Sequence, residues 1–103
     1  MAREKLQTLS EPMYYILLAM REEVCGVDIM NRVLEISHGR VRVGPGTVYA
    51  MLDRFEESGF IVRTRTESRR KWYVMTETGR ERLREEQERL RQQYLDGEAL
   101  IGD

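Results

Sequence analysis

Apolar residues recur at helical spacing in several separate stretches of this chain, and between them polar and apolar residues alternate as they do in strands. The first helix is predicted to start at Ser10, an N-cap residue, with Glu11 and Pro12 in its first turn. Met13, Ile16, Leu17 and Met20 then form an apolar stripe that Tyr14 and Leu18 widen. A second helix starts near Gly26, carries Ile29, Val33 and Ile36 on one side, and ends at Gly39. Arg40 to Val43 alternates and reads as a very short strand. A third helix follows, with Gly44 as cap and Pro45 at its first position. There Val48, Met51, Leu52 and Phe55 fall at i, i+3, i+4 and i+7 and must face inward, and Gly59 stops the helix. Phe60 to Thr66 alternates: Phe60, Val62 and Thr64 on one face, Ile61, Arg63 and Arg65 on the other. Lys71 to Thr76 is the expected partner strand. The tip between them, Glu67 to Arg70, lacks Gly and Pro, which argues against a tight primed turn. Thr76 caps a last helix expected to run to about Asp96, before Gly97.

The order helix, helix, strand, helix, strand, strand, helix describes an α+β winged helix-turn-helix: three helices, a small antiparallel sheet and a wing. The expected division is a tail at 1–9, the winged domain at 10–76, a C-terminal dimerisation helix at 77–96 and a tail at 97–103. A chain of 103 residues is one domain with a modest core. Its net charge of −1 hides a division. Residues 39–75 hold eight basic against four acidic side chains, a net of +4, while both flanks are acidic. Phosphate responds to the local field, because exposed charges are screened beyond about 8–10 Å in physiological salt.

The stretch GRVRVGPGTVYAMLDRFEESGFI (39–61), followed by RRKWYVMTETGRERL (69–83), resembles the PadR family of bacterial transcriptional regulators. LSEPMYYILLAM is similar to that family's first helix, and Gly26 stands where the family has a His-Gly-Tyr turn, here flanked by Cys25 and Val27. The single helix after the wing resembles the short subfamily. The resemblance implies a homodimer that represses transcription by binding an inverted-repeat operator. It also implies that the C-terminal helix packs on the first helix of the other subunit. Some family members release DNA when a small planar or hydrophobic compound binds near the dimer interface, so a small hydrophobic or aromatic effector belongs to the expectation.

Candidate DNA contacts follow from the two kinds of contact that DNA needs, phosphate grip and groove reading. Gly46 and Thr47 bring backbone N–H groups and a hydroxyl to the start of the third helix, where a phosphate is favoured. Tyr49 offers a hydroxyl and a ring to the groove, and Arg54 lies farther along the same outward side. Asp53 repels phosphate but can accept from a cytosine amino group, which makes it at most a mild selectivity element. In the wing, Arg63, Arg65, Arg69, Arg70 and Lys71 put five cations in nine residues. Two or three such charges would read as edge protection of exposed strands; five beside a polar helix face read as a nucleic-acid contact. Trp72 and Tyr73 face opposite ways, and core packing is the simpler role for either ring. Dimer-interface candidates are Met13, Tyr14 and Leu17 on the first helix, with Leu83, Gln87, Leu90 and Tyr94 forming a narrow seam on the last.

Little supports catalysis. One His and one Cys cannot make a metal cluster within a chain, so no metal and no cofactor are expected. His38 reads as helix-end stabilisation and Cys25 as a small apolar filler. The longest apolar run, Met13 to Met20, is eight residues, far short of the roughly 20 of a membrane span. With no signal-like start and a lone cysteine, the expected location is the cytoplasm. The alternative function is a winged-helix protein-protein interaction module without sequence-specific DNA binding. It would call for an apolar outer face on the third helix and an uncharged wing, the reverse of what stands here.

Overall fold

The computed structural model describes residues 8–102, so most of the tail expected at 1–9 lies outside the described residues. Its elements are α1 (Glu11–Leu18), β1 (Val24–Cys25), a 3₁₀ turn (Gly26–Asp28), α2 (Ile29–Ile36), α3 (Pro45–Glu57), β2 (Ile61–Glu67), β3 (Arg70–Met75) and α4 (Glu77–Ile101). The sheet is antiparallel, in the order β1-β3-β2. This is the α+β winged helix-turn-helix read from the sequence.

Local signals start and stop the helices. The Ser10 hydroxyl accepts from the Met13 N–H at 3.3 Å, and Thr76 does the same for the Gly79 N–H at 3.0 Å. Gly59, at φ +78°, ends α3 in the left-handed conformation, and the Phe60 N–H returns to the Phe55 carbonyl at 2.9 Å. Ile16, Leu17 and Met20 of α1 and its exit meet Ile29 and Val33 of α2 and Val48, Leu52 and Phe55 of α3, all essentially solvent-free. Each such side chain stabilises the fold by roughly 1.5–3 kcal/mol relative to exposure. Tyr73, Met75 and Phe60 close the core from the sheet side, with the Phe55 and Phe60 rings 6.1 Å apart.

Two ties fix the wing and α4 to this core. The Met75 N–H donates to the Met20 carbonyl at 2.7 Å, joining β3 to the end of α1. The Thr76 hydroxyl donates to the Gly59 carbonyl at 2.6 Å and the Thr76 N–H to the Phe60 carbonyl at 2.9 Å. Gly79 permits this approach, since a Cβ there would stand 2.2 Å from the Phe60 carbonyl oxygen. Among the described residues no helix is long and apolar enough to cross a membrane.

Three expectations need correction. Arg40 to Val43 is not a strand: the Val41 N–H donates to the buried Ser37 hydroxyl at 3.0 Å, which pins the segment and sinks Val41 into the core. The third strand is instead Val24–Cys25, whose two buried residues pair with Tyr73 and Trp72. The wing tip is a tight turn after all. Glu67 pairs with Arg70, and the two residues between, Ser68 and Arg69, have φ +48° and +71°, the positive pair of a type I′ turn. The twist of the β2–β3 ladder imposes it against a local cost on the order of 1 kcal/mol per residue. Finally, α4 runs through Gly97 to Ile101, because a helical glycine with open space around it is a weak stop.

Candidate nucleic-acid interface

The inner side of α3 is fixed by its core residues, so its outer side is free. Gly46, Thr47, Tyr49, Asp53 and Arg54 are all exposed there. Gly44 caps α3 without any side-chain hydrogen bond, which leaves the first N–H groups of this helix open to an acceptor from outside. Beside α3 stands the wing. Tyr49 and Asp53 from α3, with Arg63, Arg69, Arg70 and Lys71 from the wing, line one cleft of about 190 Å³. Of the residues singled out from the sequence, Gly46, Thr47 and Arg54 lie on the same helix outside this cleft, and Arg65 lies elsewhere.

Arg65 is displaced by a β-bulge. Arg63 opposes Tyr73 and Arg65 opposes Trp72, so Thr64 is an extra residue in β2 and the alternation slips. The two arginines, expected on one face, stand on opposite faces. Arg63 holds its guanidinium 5.9 Å above the Tyr73 ring and pairs with Glu56 at 3.5 Å. Arg65 lies 4.0 Å over Trp72 and pairs with Glu23 at 3.7 Å and Glu67 at 3.3 Å, while Thr64 donates to Glu23 at 2.5 Å. By contrast Arg54, Arg69, Arg70 and Lys71 make no ion pair among the described residues. Of the six cations singled out on α3 and the wing, these four are the ones left to meet an outside anion.

Tyr73 forms part of the cleft floor. Burial pushes its hydroxyl above the ordinary tyrosine value, and the Arg63 guanidinium offsets only part of that rise. Trp72 is half-buried on the other face of β3, beneath Arg65. The cleft also contains Cys25, Gly26 and Val27, which sequence reasoning did not place there. The Gly26 motif was visible, but its position against α3 depends on the β1–β3 pairing that periodicity could not reveal.

At the other end of the molecule, α4 leaves the globular part. Its first turns pack in the chain's own core: Leu83 is 4% exposed and Glu86 is buried, held by Arg89 and, at 3.6 Å, by Arg82. The hydrogen bond that Arg89 donates to Glu86 strengthens its hold on its proton. Leu17 is wholly buried too. Leu17 and Leu83, assigned to the dimer seam from the sequence, are thus corrected to intrachain core, because α4 crosses α1 of its own chain before it stands clear. The remaining candidates stay near the surface. Met13 and Tyr14 are half-buried, and Gln87 is exposed and donates to the Tyr14 hydroxyl at 3.3 Å. Leu90 and Leu95 are exposed, Tyr94 is 66% exposed, and Leu100 and Ile101 lie almost bare. A cavity of about 450 Å³ opens between the start of α1 and α4, lined by Leu9, Glu11, Tyr14, Tyr15, Arg89 and Leu90.

A helix laid beside a cationic hairpin on a three-helix core defines a winged helix-turn-helix of the DNA-binding class. Residues 16–85 match the Transcriptional regulator PadR-like family, and the chain belongs to that family. None of the curated proteins matches it in sequence. Among solved structures it is similar to a transcriptional regulator from Clostridium thermocellum, with 20% identity over 86% of this chain and 91% of that one, at a TM-score of 0.74. It is similar also to a PadR-like transcriptional regulator from Bacillus cereus, with 24% identity, 89% and 92% coverage and a TM-score of 0.71. PadR of Bacillus subtilis, solved in complex with operator DNA, shares 25% identity over 73% of this chain and 45% of that longer one, at a TM-score of 0.64.

Proposed function

We propose that two copies of this protein pair through α4 and α1 and act in the cytoplasm as a repressor on an inverted-repeat operator. The observation that carries this reading is the cleft in which the exposed side of α3 faces Arg69, Arg70 and Lys71, cations with no ion pair among the described residues. In the proposed complex, α3 enters the major groove with Gly46, Thr47 and Tyr49 leading. Arg54 and the wing tip take phosphates on either side, and Arg63 and Arg65 stay with their internal partners. The operator complex of Bacillus subtilis PadR supports the same mode for this chain.

Pairing is supported by the exposed apolar run Leu90, Tyr94, Leu95, Leu100 and Ile101 on a helix whose other residues are mostly charged. Two-fold symmetry of the protein then requires two-fold symmetry of the site, with half-sites about one helical turn apart. The cavity beside Tyr14 and Tyr15 borders this surface and suits a small hydrophobic or aromatic effector that would alter the pairing angle.

Selection from a randomised duplex library tests the reading, with sedimentation equilibrium on the protein alone. The expected result is a dimer that enriches one symmetric sequence. A solitary chain, or enrichment of no sequence at low salt, overturns it. Tyr94→Glu should separate the subunits and weaken retention of the selected duplex together.

A further inference from the structure

Eight large apolar residues are exposed among the described residues, and five of them belong to the end of α4. The other three are Val27, Tyr49 and Val62. Two of these three, Val27 and Tyr49, each 48% exposed, line the same cleft between α3 and the wing. The rest of that lining is dominated by ionic side chains: Asp53, Arg63, Arg69, Arg70 and Lys71.

The backbone brings these two residues to one cleft. β1 pairs with β3, which carries the 3₁₀ turn Gly26–Asp28 to the base of α3. At Gly26 an added Cβ would stand 3.7 Å from the Tyr49 ring and 3.8 Å from its hydroxyl, so the ring lies along the turn that presents Val27. Val27 has no role in the core, unlike its neighbours Val24, Cys25 and Ile29, which are buried. A single exposed valine needs no explanation. A valine and a tyrosine lining one cleft on a surface otherwise built for phosphate do, because they offer apolar surface where the ligand's edge must approach.

The major groove carries one apolar group, the 5-methyl of thymine. We infer that Val27 and Tyr49 form a thymine-methyl pocket, and that Val27 is a specificity-determining residue selecting thymine over cytosine at one position in each half-site. This inference rests on the proposed operator binding and adds to it a residue outside α3 and the wing. Backbone cations supply grip irrespective of sequence, whereas this pocket makes affinity depend on a single methyl group.

The test uses the intact protein and the duplex it enriches from a random library, remade with deoxyuridine in place of thymidine at one symmetric pair of positions at a time. Deoxyuridine keeps every hydrogen-bonding group of thymidine and lacks only the methyl. Loss of one buried methyl should weaken wild-type binding about fourfold per half-site, on the order of fifteenfold for both. Val27→Ala, an exposed change that leaves the core intact, should bind the thymidine duplex more weakly and lose its sensitivity to deoxyuridine at that position. Equal sensitivity in Val27→Ala and wild type, or no sensitive position anywhere in the duplex, overturns the pocket while operator binding stands. Failure to enrich any duplex overturns operator binding and the pocket with it.

Discussion

Arg65 and Arg70 lie five residues apart in one hairpin, yet they should contribute unequally to DNA affinity. Arg65 is committed inside the molecule to Trp72, Glu23 and Glu67. Arg70 has no ion pair among the described residues and stands at the cleft with Arg69 and Lys71. If Arg54, Arg69, Arg70 and Lys71 each neutralise one phosphate, a dimer neutralises about eight, and the slope of log affinity against log salt is about −7. Affinity should then fall on the order of 10⁴-fold between 50 and 200 mM salt. Arg70→Ala removes two of these contacts per dimer, so its slope should be shallower by about 1.8. Arg65→Ala should leave the slope unchanged within about 0.5, since no counterions are released on its account. Its cost falls on the wing instead, at about 0.5–1 kcal/mol for the lost stacking on Trp72. Fluorescence anisotropy of a labelled duplex over that salt range measures both slopes. Should Arg65→Ala flatten the slope as much as Arg70→Ala does, internal pairing is no guide to which cations meet phosphate, and the reasoning fails.

Four further outcomes follow from the packing. Gly79→Ala should lose roughly 1–3 kcal/mol in urea unfolding, because its Cβ would meet the Phe60 carbonyl; a gain, as expected for an ordinary helical glycine, would show that α4 is not held there. Leu83→Ala should cost roughly 2–5 kcal/mol of fold stability as a core truncation. Tyr94→Glu should spare the fold of each subunit and act on association, and thermal melts beside sedimentation separate the two effects. Burial raises the Tyr73 pKa, so the folded protein holds that proton more tightly than the unfolded chain. The stability it gives is complete below about pH 10 and drains away as pH climbs through the higher folded value. Tyr73→Phe should lack that alkaline loss, and parallel decline of the two proteins above pH 10 would show that burial of the hydroxyl is without consequence.

What could be read from the sequence was local in its physics. The inward side of α3 obeys a 3.6-residue period that Val48, Leu52 and Phe55 state within one helix, and the Ser10 and Thr76 caps act within three residues. The features that escaped are decided by distant partners. Val24–Cys25 is a strand only because β3 lies beside it, and Ser68–Arg69 takes up positive φ only because the ladder on either side demands it. Leu17 and Leu83 fit an apolar stripe equally well whether the covering surface is the same chain or another; the path of α4 over α1 decides for the former. The cleft was half legible: its α3 and wing residues follow from charge and helical phase, whereas Val27 enters through a turn whose placement no periodicity encodes.

Thr64, the unmatched residue in β2, sets the handedness of everything beyond it in that strand. Were the bulge closed without shortening the strand, Thr64 would oppose Trp72 in place of Arg65, and Arg65 would return to the face of Arg63, stripping Trp72 of its cover. The irregularity in β2 is therefore a coding feature in its own right: point changes elsewhere in the wing adjust the strength of the grip, whereas closing the bulge changes which arginine faces the groove.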